Sequence, residues 1–235
     1  YAESKGLKAF DNIGDFLASH LFDLVLVATP NQFHCPYVCA ALEAGYHAMS
    51  EKPAAMTSAE IERMMAAARK AGKVFTVHHN RRWDRDCLIV KEALQKGYCG
   101  DLITVENRIH SKSGGNGHMF GWREFADHGG GMLPDWGVHM LDQILWLNND
   151  KNVKSVYAYT RSIASAEVDD YSKVILRYED GLVCQVEVCT YSPTALPRWI
   201  VEGDRGGIIM QEMGDKTAKV RTIKEEHRDV NNGPA

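Results

Sequence analysis

Two textures of apolar and polar residues follow one another along this chain. In the first third, short apolar runs take turns with segments of helical periodicity. Asp23-Leu24-Val25-Leu26-Val27-Ala28 is a continuous apolar run, the pattern of a strand buried on both faces of a parallel sheet. It ends at the turn signal Thr29-Pro30-Asn31. Tyr37 to Ala44 spaces its apolar residues as a helix does and stops at Gly45, where a left-handed C-cap fits. His47-Ala48-Met49-Ser50 predicts a short strand running into Glu51-Lys52-Pro53. Thr57 and Glu60 have the spacing of a capping box for a helix that reaches Ala71 and closes at Gly72. Val74-Phe75-Thr76-Val77-His78 predicts a third buried strand. Strands and helices in strict alternation with short joins predict an α/β fold with a doubly wound parallel sheet. Ligands of such sheets sit beyond the carboxyl ends of the strands. Here those ends carry Thr29, Pro30 and Asn31, then Glu51 and Lys52, then His78 through Arg81.

The texture changes after Arg82. A helix is expected from Asp86 to Lys96 and a strand from Leu102 to His110, followed by a Gly-rich loop at Ser113 to Gly117. Gly129-Gly130-Gly131 then leads through Pro134 into a helical run that includes Met140, Leu141, Ile144, Leu145 and Leu147. Proline is tolerated in a first helical turn, so a helix starting here stacks Asp135, His139 and Asp142 at i, i+4 and i+7. Such a polar stripe on a mostly apolar helix requires partners. Beyond Asn149 the pattern is all strand, with Glu179-Asp180-Gly181 as a hairpin signal. The expectation is an α+β domain with an open, antiparallel-rich sheet covered on one face by helices. Residues 1–82 and 83–235 are the expected domains, with a frayed polar tail from Glu225.

Composition narrows the function. The 235 residues are 45% hydrophobic and 25% charged, as in globular proteins at large. A net charge of -4 and a pI near 6.2 supply no basic footprint for nucleic acid. No apolar run approaches the ~20 residues that span a bilayer. Neither a nucleic acid nor a membrane is therefore an expected partner. Six cysteines without a CxxC pair read as reduced thiols, and with no leader pattern in view the expected location is the cytoplasm.

Three residues carry the candidate chemistry. Lys52, held extended by the proline after it, can donate to a substrate hydroxyl or a developing alkoxide. Its plainer use is a solvated lysine near a turn. His139 suits acid–base work near neutral pH, and Asp135 one turn earlier can orient it or itself take a proton. A structural His–Asp pair is the alternative use of the same two residues. His78, His79, His118 and His128 add nitrogens, but no HExxH or finger spacing is present, so no metal is expected. Cys35 and Cys39 read as core residues, and the five tryptophans as core or pocket walls.

Taken in register, these stretches resemble a known family. Val27-Ala28-Thr29-Pro30-Asn31 with His34, Ala41-Leu42-Glu43-Ala44-Gly45, Glu51-Lys52-Pro53, Asn80-Arg81 and Gly129-Gly130-Gly131 with Asp135-x-Gly137-x-His139 and Asp142 are similar to the Gfo/Idh/MocA oxidoreductases, typified by glucose–fructose oxidoreductase and inositol dehydrogenase. The resemblance implies a partial Rossmann-type nucleotide domain and then a domain for substrate binding and oligomerisation, whose open sheet packs against another subunit. It implies NAD or NADP as cofactor, and hydride transfer at a hydroxyl-bearing carbon of a sugar, cyclitol or related polyol. By motif, Lys52, Asp135 and His139 would be catalytic, with His139 as base. Thr29, Pro30, Asn31, His34, Glu51, Lys52 and Arg81 would face the cofactor, and Trp122, Arg123, Asp127 and His128 would shape the substrate pocket. Two alternatives share the scaffold: an NAD-assisted glycosidase and a non-catalytic truncated homologue. The family's Gly-rich phosphate turn has no counterpart here. The chain is therefore expected to start after the first βαβ unit, to stop before the family's usual end, and to bind nucleotide weakly.

Overall fold

A computed structural model describes residues 2–110, 121–148, 150–194 and 196–223. The Gly-rich loop at 113–117, His118 and the tail from 225 lie outside the described residues. The chain divides into two compact units: Tyr1–Asn80 with Asn116–His139 and Arg161–Asp170, and Arg81–Gly115 with Met140–Thr160 and Tyr171–Ala235.

The first unit opens with a short helix α1 (Ile13–Ala18) and is built on three parallel strands, β1 (Leu24–Val27), β2 (His47–Ser50) and β3 (Phe75–Val77), in the order β1-β2-β3. Helices α2 (His34–Glu43) and α3 (Ser58–Ala71) connect them. Val25, Val27 and Ala48 pack with Val38, Ala41, Leu42, Met64 and Ala68 into one core. The apolar run of β1 predicts burial on both faces, but Leu24 and Leu26 are 46% and 52% exposed. The helical cover lies on the Val25/Val27 side, and alternation along the strand turns the two leucines away from it.

The second unit contains helix α4 (Arg85–Gln95) and strand β4 (Leu102–His110). Helix α5 (Val138–Leu147) begins in the first unit, and residues 140–147 of it belong here. Then come β5 (Val153–Arg161), β6 (Tyr171–Tyr178), β7 (Val183–Cys189), β8 (Trp199–Gly203), β9 (Gly206–Met210) and β10 (Lys219–Thr222). The seven strands run in the order β10-β9-β8-β4-β7-β6-β5. β10 with β9, β9 with β8, β8 with β4 and β7 with β6 pair antiparallel, whereas β4 and β7 at the centre run parallel with Arg108 opposite Glu187.

Period-two alternation splits β4 into two chemistries. Val105 and Asn107 face the helices, where Asn107 donates to Gln143 of α5. Glu106, Arg108 and His110 occupy the opposite face. Under the helices, Asp86 of α4 accepts from Arg198 Nε at 3.0 Å and from the Trp199 indole at 2.9 Å, and all three residues are buried. Trp83, expected in the core or in a pocket wall, is 69% exposed and packs edge-on against Trp146.

Candidate active site at the strand ends

The site grows from the parallel register of β1 and β2. Pairing Val27 with Ser50 brings the segments that follow them, Ala28 to Asn31 and Glu51 to Pro53, side by side. The buried ring of His34 fastens the two segments, with Nδ1 2.7 Å from the Pro53 carbonyl and Nε2 2.9 Å from the Thr29 carbonyl. Its nitrogens are thus engaged by the backbone. Asn31, also buried, donates from Nδ2 to the Gly129 carbonyl at 2.8 Å. Gly129 needs to be glycine, since its φ is +74° and a Cβ would meet the Met56 sulfur at 2.3 Å. A cavity of about 280 Å³ opens here, lined by Thr29, Pro30, Asn31, Glu51, Lys52 and Asp135, with Trp122 and Arg123 opposite. The Lys52–Pro53 peptide bond is cis.

Asp135 sits on a π-helical turn, Leu133–Gly137, that precedes α5 and carries Pro134 at its start. A widened turn at a functional position is a recognised use of π geometry. Asp169 anchors the start of this turn. Its carbonyl accepts from Met132 N–H at 2.9 Å and its carboxylate from Leu133 N–H at 2.9 Å. Gly131 (φ +115°) makes room, since a Cβ there would lie 2.3 Å from the Asp169 carboxylate. Asp170 in turn fixes its own loop, accepting from the N–H groups of Ile163, Ala164 and Ser165.

Lys52 and Asp135 meet. Lys52 Nζ donates to Asp135 Oδ1 at 2.6 Å and to the Asp135 carbonyl at 2.6 Å. Arg123 Nε approaches the same carboxylate oxygen at 3.3 Å, and its guanidinium lies 4.6 Å from the centre of the Trp122 ring. Burial opposes the charge on Asp135, but the Lys52 ammonium and then Arg123 outweigh it and hold the carboxyl below the ordinary carboxylate range. Asp169 goes the other way. Burial pushes it up to about 6, partly offset by the Leu133 and Met132 N–H groups.

The remaining sequence candidates are distributed as follows. Glu51 lies 2.8 Å from His78 Nδ1. His139 is 5% exposed, with its ring against Trp136, and does not line the cavity. Arg81 belongs to the second unit, where it pairs with Asp84 at 3.0 Å. Asp142, the third member of the expected stripe, pairs there with Arg82 at 2.6 Å. Asp127 and His128 pair with each other at 2.5 Å, and neither lines the cavity.

Comparison with known proteins identifies the scaffold. Residues 1–79 match the family described as an oxidoreductase family with an NAD-binding Rossmann fold, and residues 87–209 match the GFO/IDH/MocA C-terminal domain. The chain belongs to the Gfo/Idh/MocA family. An NAD-binding protein from Listeria innocua is 42% identical and superimposes with a TM-score of 0.87 over 93% of this chain and 64% of its own. The WlbA dehydrogenase from Bordetella pertussis, solved with NADH and UDP-GlcNAcA, is 27% identical with a TM-score of 0.80 over 98% of this chain and 67% of its own. The D-glucoside 3-dehydrogenase of Escherichia coli is 32% identical over 81% of this chain and 51% of its own. The chain spans 51% to 59% of the length of the curated relatives it matches first.

The strand-end residues of this Gfo/Idh/MocA chain fit a nicotinamide nucleotide. Among the described residues, Thr29 Oγ1 and Gln32 Oε1 are buried with no hydrogen-bond partner, as polar atoms that await a ligand would be. Sequence reading missed Asp169 and Asp170. Val168-Asp169-Asp170 lies some 30 residues after the turn it braces, in a segment that reads as an ordinary polar loop. The available signal was the tandem of acids just before a strand.

Proposed function

We propose that this chain forms the catalytic part of an NAD(P)-dependent oxidoreductase that moves hydride between a nicotinamide and a hydroxyl-bearing carbon of a sugar, cyclitol or related polyol. The observation that carries the reading is the Lys52–Asp135 pair at 2.6 Å within a cavity bounded by Thr29, Pro30 and Asn31. An ammonium has three N–H donors, and Asp135 takes two of them. The third is available to a substrate hydroxyl, where it stabilises negative charge as the oxygen loses its proton. Asp135, held ionised between Lys52 and Arg123 with its carboxyl below the ordinary carboxylate range, is a weak base and acts as an orienting group. The family motif assigns that proton to His139, a residue type suited to the work near neutral pH, whose buried ring stands outside the cavity lining. Thr29 Oγ1, Gln32 Oε1 and the Pro30–Asn31 segment would hold the nucleotide, which supplies the hydride acceptor. Similarity to a D-glucoside dehydrogenase and to a dehydrogenase solved with NADH and a sugar nucleotide supports both the cofactor class and the substrate class.

A second copy of the chain is the proposed partner. Strand β5 at the sheet edge is exposed along its whole length, with Val156 at 62% and Tyr157 at 61%. Proteins rarely leave a long apolar edge strand uncovered.

The test is turnover of a panel of sugars and cyclitols with NAD+ and NADP+, followed by the absorbance of the reduced nicotinamide. Lys52→Ala and His139→Ala are each expected to lower kcat by about 10²–10⁴-fold. Unchanged turnover in both variants would overturn the assignment. Hydrolysis of an aryl glycoside with no net reduced nucleotide would replace it with the glycosidase.

A further inference from the structure

The start of the π turn is capped from a distant part of the chain. The first N–H groups of a helical segment have no partner within it, and Met132 at the cap position makes no side-chain bond to them. Asp169, 36 positions beyond Leu133, does so instead. Its carboxylate takes Leu133 N–H and its carbonyl takes Met132 N–H, each at 2.9 Å.

The cap is itself held in place. Asp170 accepts from Ile163 and Ala164 N–H at 2.7 Å and from Ser165 N–H at 3.0 Å. The Ser162 hydroxyl donates to the Val168 carbonyl at 2.7 Å, and Ser165 Oγ accepts from Val168 N–H at 3.3 Å. Glu167 accepts from Ala126 N–H at 3.2 Å. Residues 162–170 thus form a closed brace with Asp169 at its working end.

The brace fixes a backbone atom of the site. Lys52 Nζ donates to the Asp135 carbonyl as well as to its carboxylate, both at 2.6 Å, and Asp135 lies two residues after Leu133 in the same turn. A side chain can re-aim when its backbone moves, whereas a carbonyl cannot. A displaced turn therefore carries Lys52 with it or breaks the contact.

We propose that Asp169 is a positioning residue for the Lys52–Asp135 pair, holding the π turn most firmly while its own carboxylate is ionised. The inference rests on the oxidoreductase reading for what that pair does. An ionised carboxylate holds an N–H roughly twice as strongly as a neutral acceptor does. Burial, the first cause, raises the Asp169 pKa to about 6, and the Asp170 charge adds to it against the Leu133 and Met132 N–H groups. The other charged groups round the turn are engaged elsewhere: Glu167 with Ala126 N–H, and Lys52 and Arg123 with Asp135. Ionisation is opposed by burial, yet it strengthens the bond that fixes the turn. That bond weakens as pH falls through about 6.

The test labels the whole chain with 5-fluorotryptophan and follows the fluorine resonance of Trp136, a residue of the turn, assigned by its loss in Trp136→Phe. The expected result is a titration step near pH 6 that is absent in Asp169→Asn, since the asparagine keeps an acceptor but has no charge to lose. A step retained in that variant would belong to His139, whose ring lies 6.2 Å from that of Trp136, and would overturn the proposal. So would the absence of any step in the parent. Turnover supplies a second readout. The ratio of parent to Asp169→Asn kcat should fall from about fivefold at pH 8 to about one at pH 5, and comparing the two proteins at each pH cancels the titration of His139. A ratio that stays constant with pH would reduce Asp169 to a structural role. The Trp136 step without turnover of any polyol would remove the hydride-transfer reading while supporting the brace, so the two failures are distinguishable.

Discussion

At the scale of single residues, two carboxylates in one unit are tuned in opposite directions by what surrounds them. Asp135 meets two cations and stays ionised, whereas Asp169 meets backbone N–H groups, burial and the neighbouring Asp170 charge. An acid whose folded pKa is raised binds more protons when folded than when unfolded. Its contribution is therefore present below the ordinary aspartate value and lost as pH rises to about 6. In Asp169→Asn that loss disappears while an oxygen remains to accept from Leu133 N–H. The variant should gain on the parent by about 2 kcal/mol between pH 4 and pH 6.5, and then level off. Urea unfolding of both proteins across that range measures the difference, and a gap that does not vary with pH would contradict the assignment. Lys52 was legible as a candidate because a lysine before proline at a strand end is easily seen. Its partner was not, since Lys52 and Asp135 are 83 positions apart.

Elements were the most legible scale. Thr57 Oγ1 caps α3 by accepting from Glu60 N–H, and Gly72 closes that helix in the left-handed conformation, as the spacing predicts. The second half of the capping box differs: Glu60 accepts from Met56 N–H at 2.8 Å. The π turn at Leu133–Gly137 was not legible, because apolar spacing cannot separate it from α-helix. In the second unit, Asp86 of α4, Gln143 of α5, Asn107 of β4 and Arg198 just before β8 are joined through buried polar contacts. Removing one member of such a pair strands the other charge away from water. Arg198→Met is expected to cost about 3–5 kcal/mol in chemical denaturation, and a loss below about 1 kcal/mol would show that water reaches Asp86.

For the whole molecule, assembly is the testable property. The exposed apolar residues of β5 predict that the chain self-associates, and that Val156→Lys with Tyr159→Lys shifts it toward monomer. Sedimentation velocity over a range of concentrations decides this. A monomeric parent at every concentration would remove the case for a sheet-mediated dimer.

Local chemistry sufficed for much of this protein. Turn residues, caps and periods of two and 3.6 mark where strands and helices run, and they place Thr29, Asn31 and Lys52 at strand ends. Family membership was likewise readable, since it rests on short motifs in order. Tertiary structure alone decided the partners. It set Lys52 against Asp135, drew Asp169 to the start of the turn, and held one His34 nitrogen on the Pro53 carbonyl. Those outcomes depend on contacts between positions far apart in the chain, which no local period encodes.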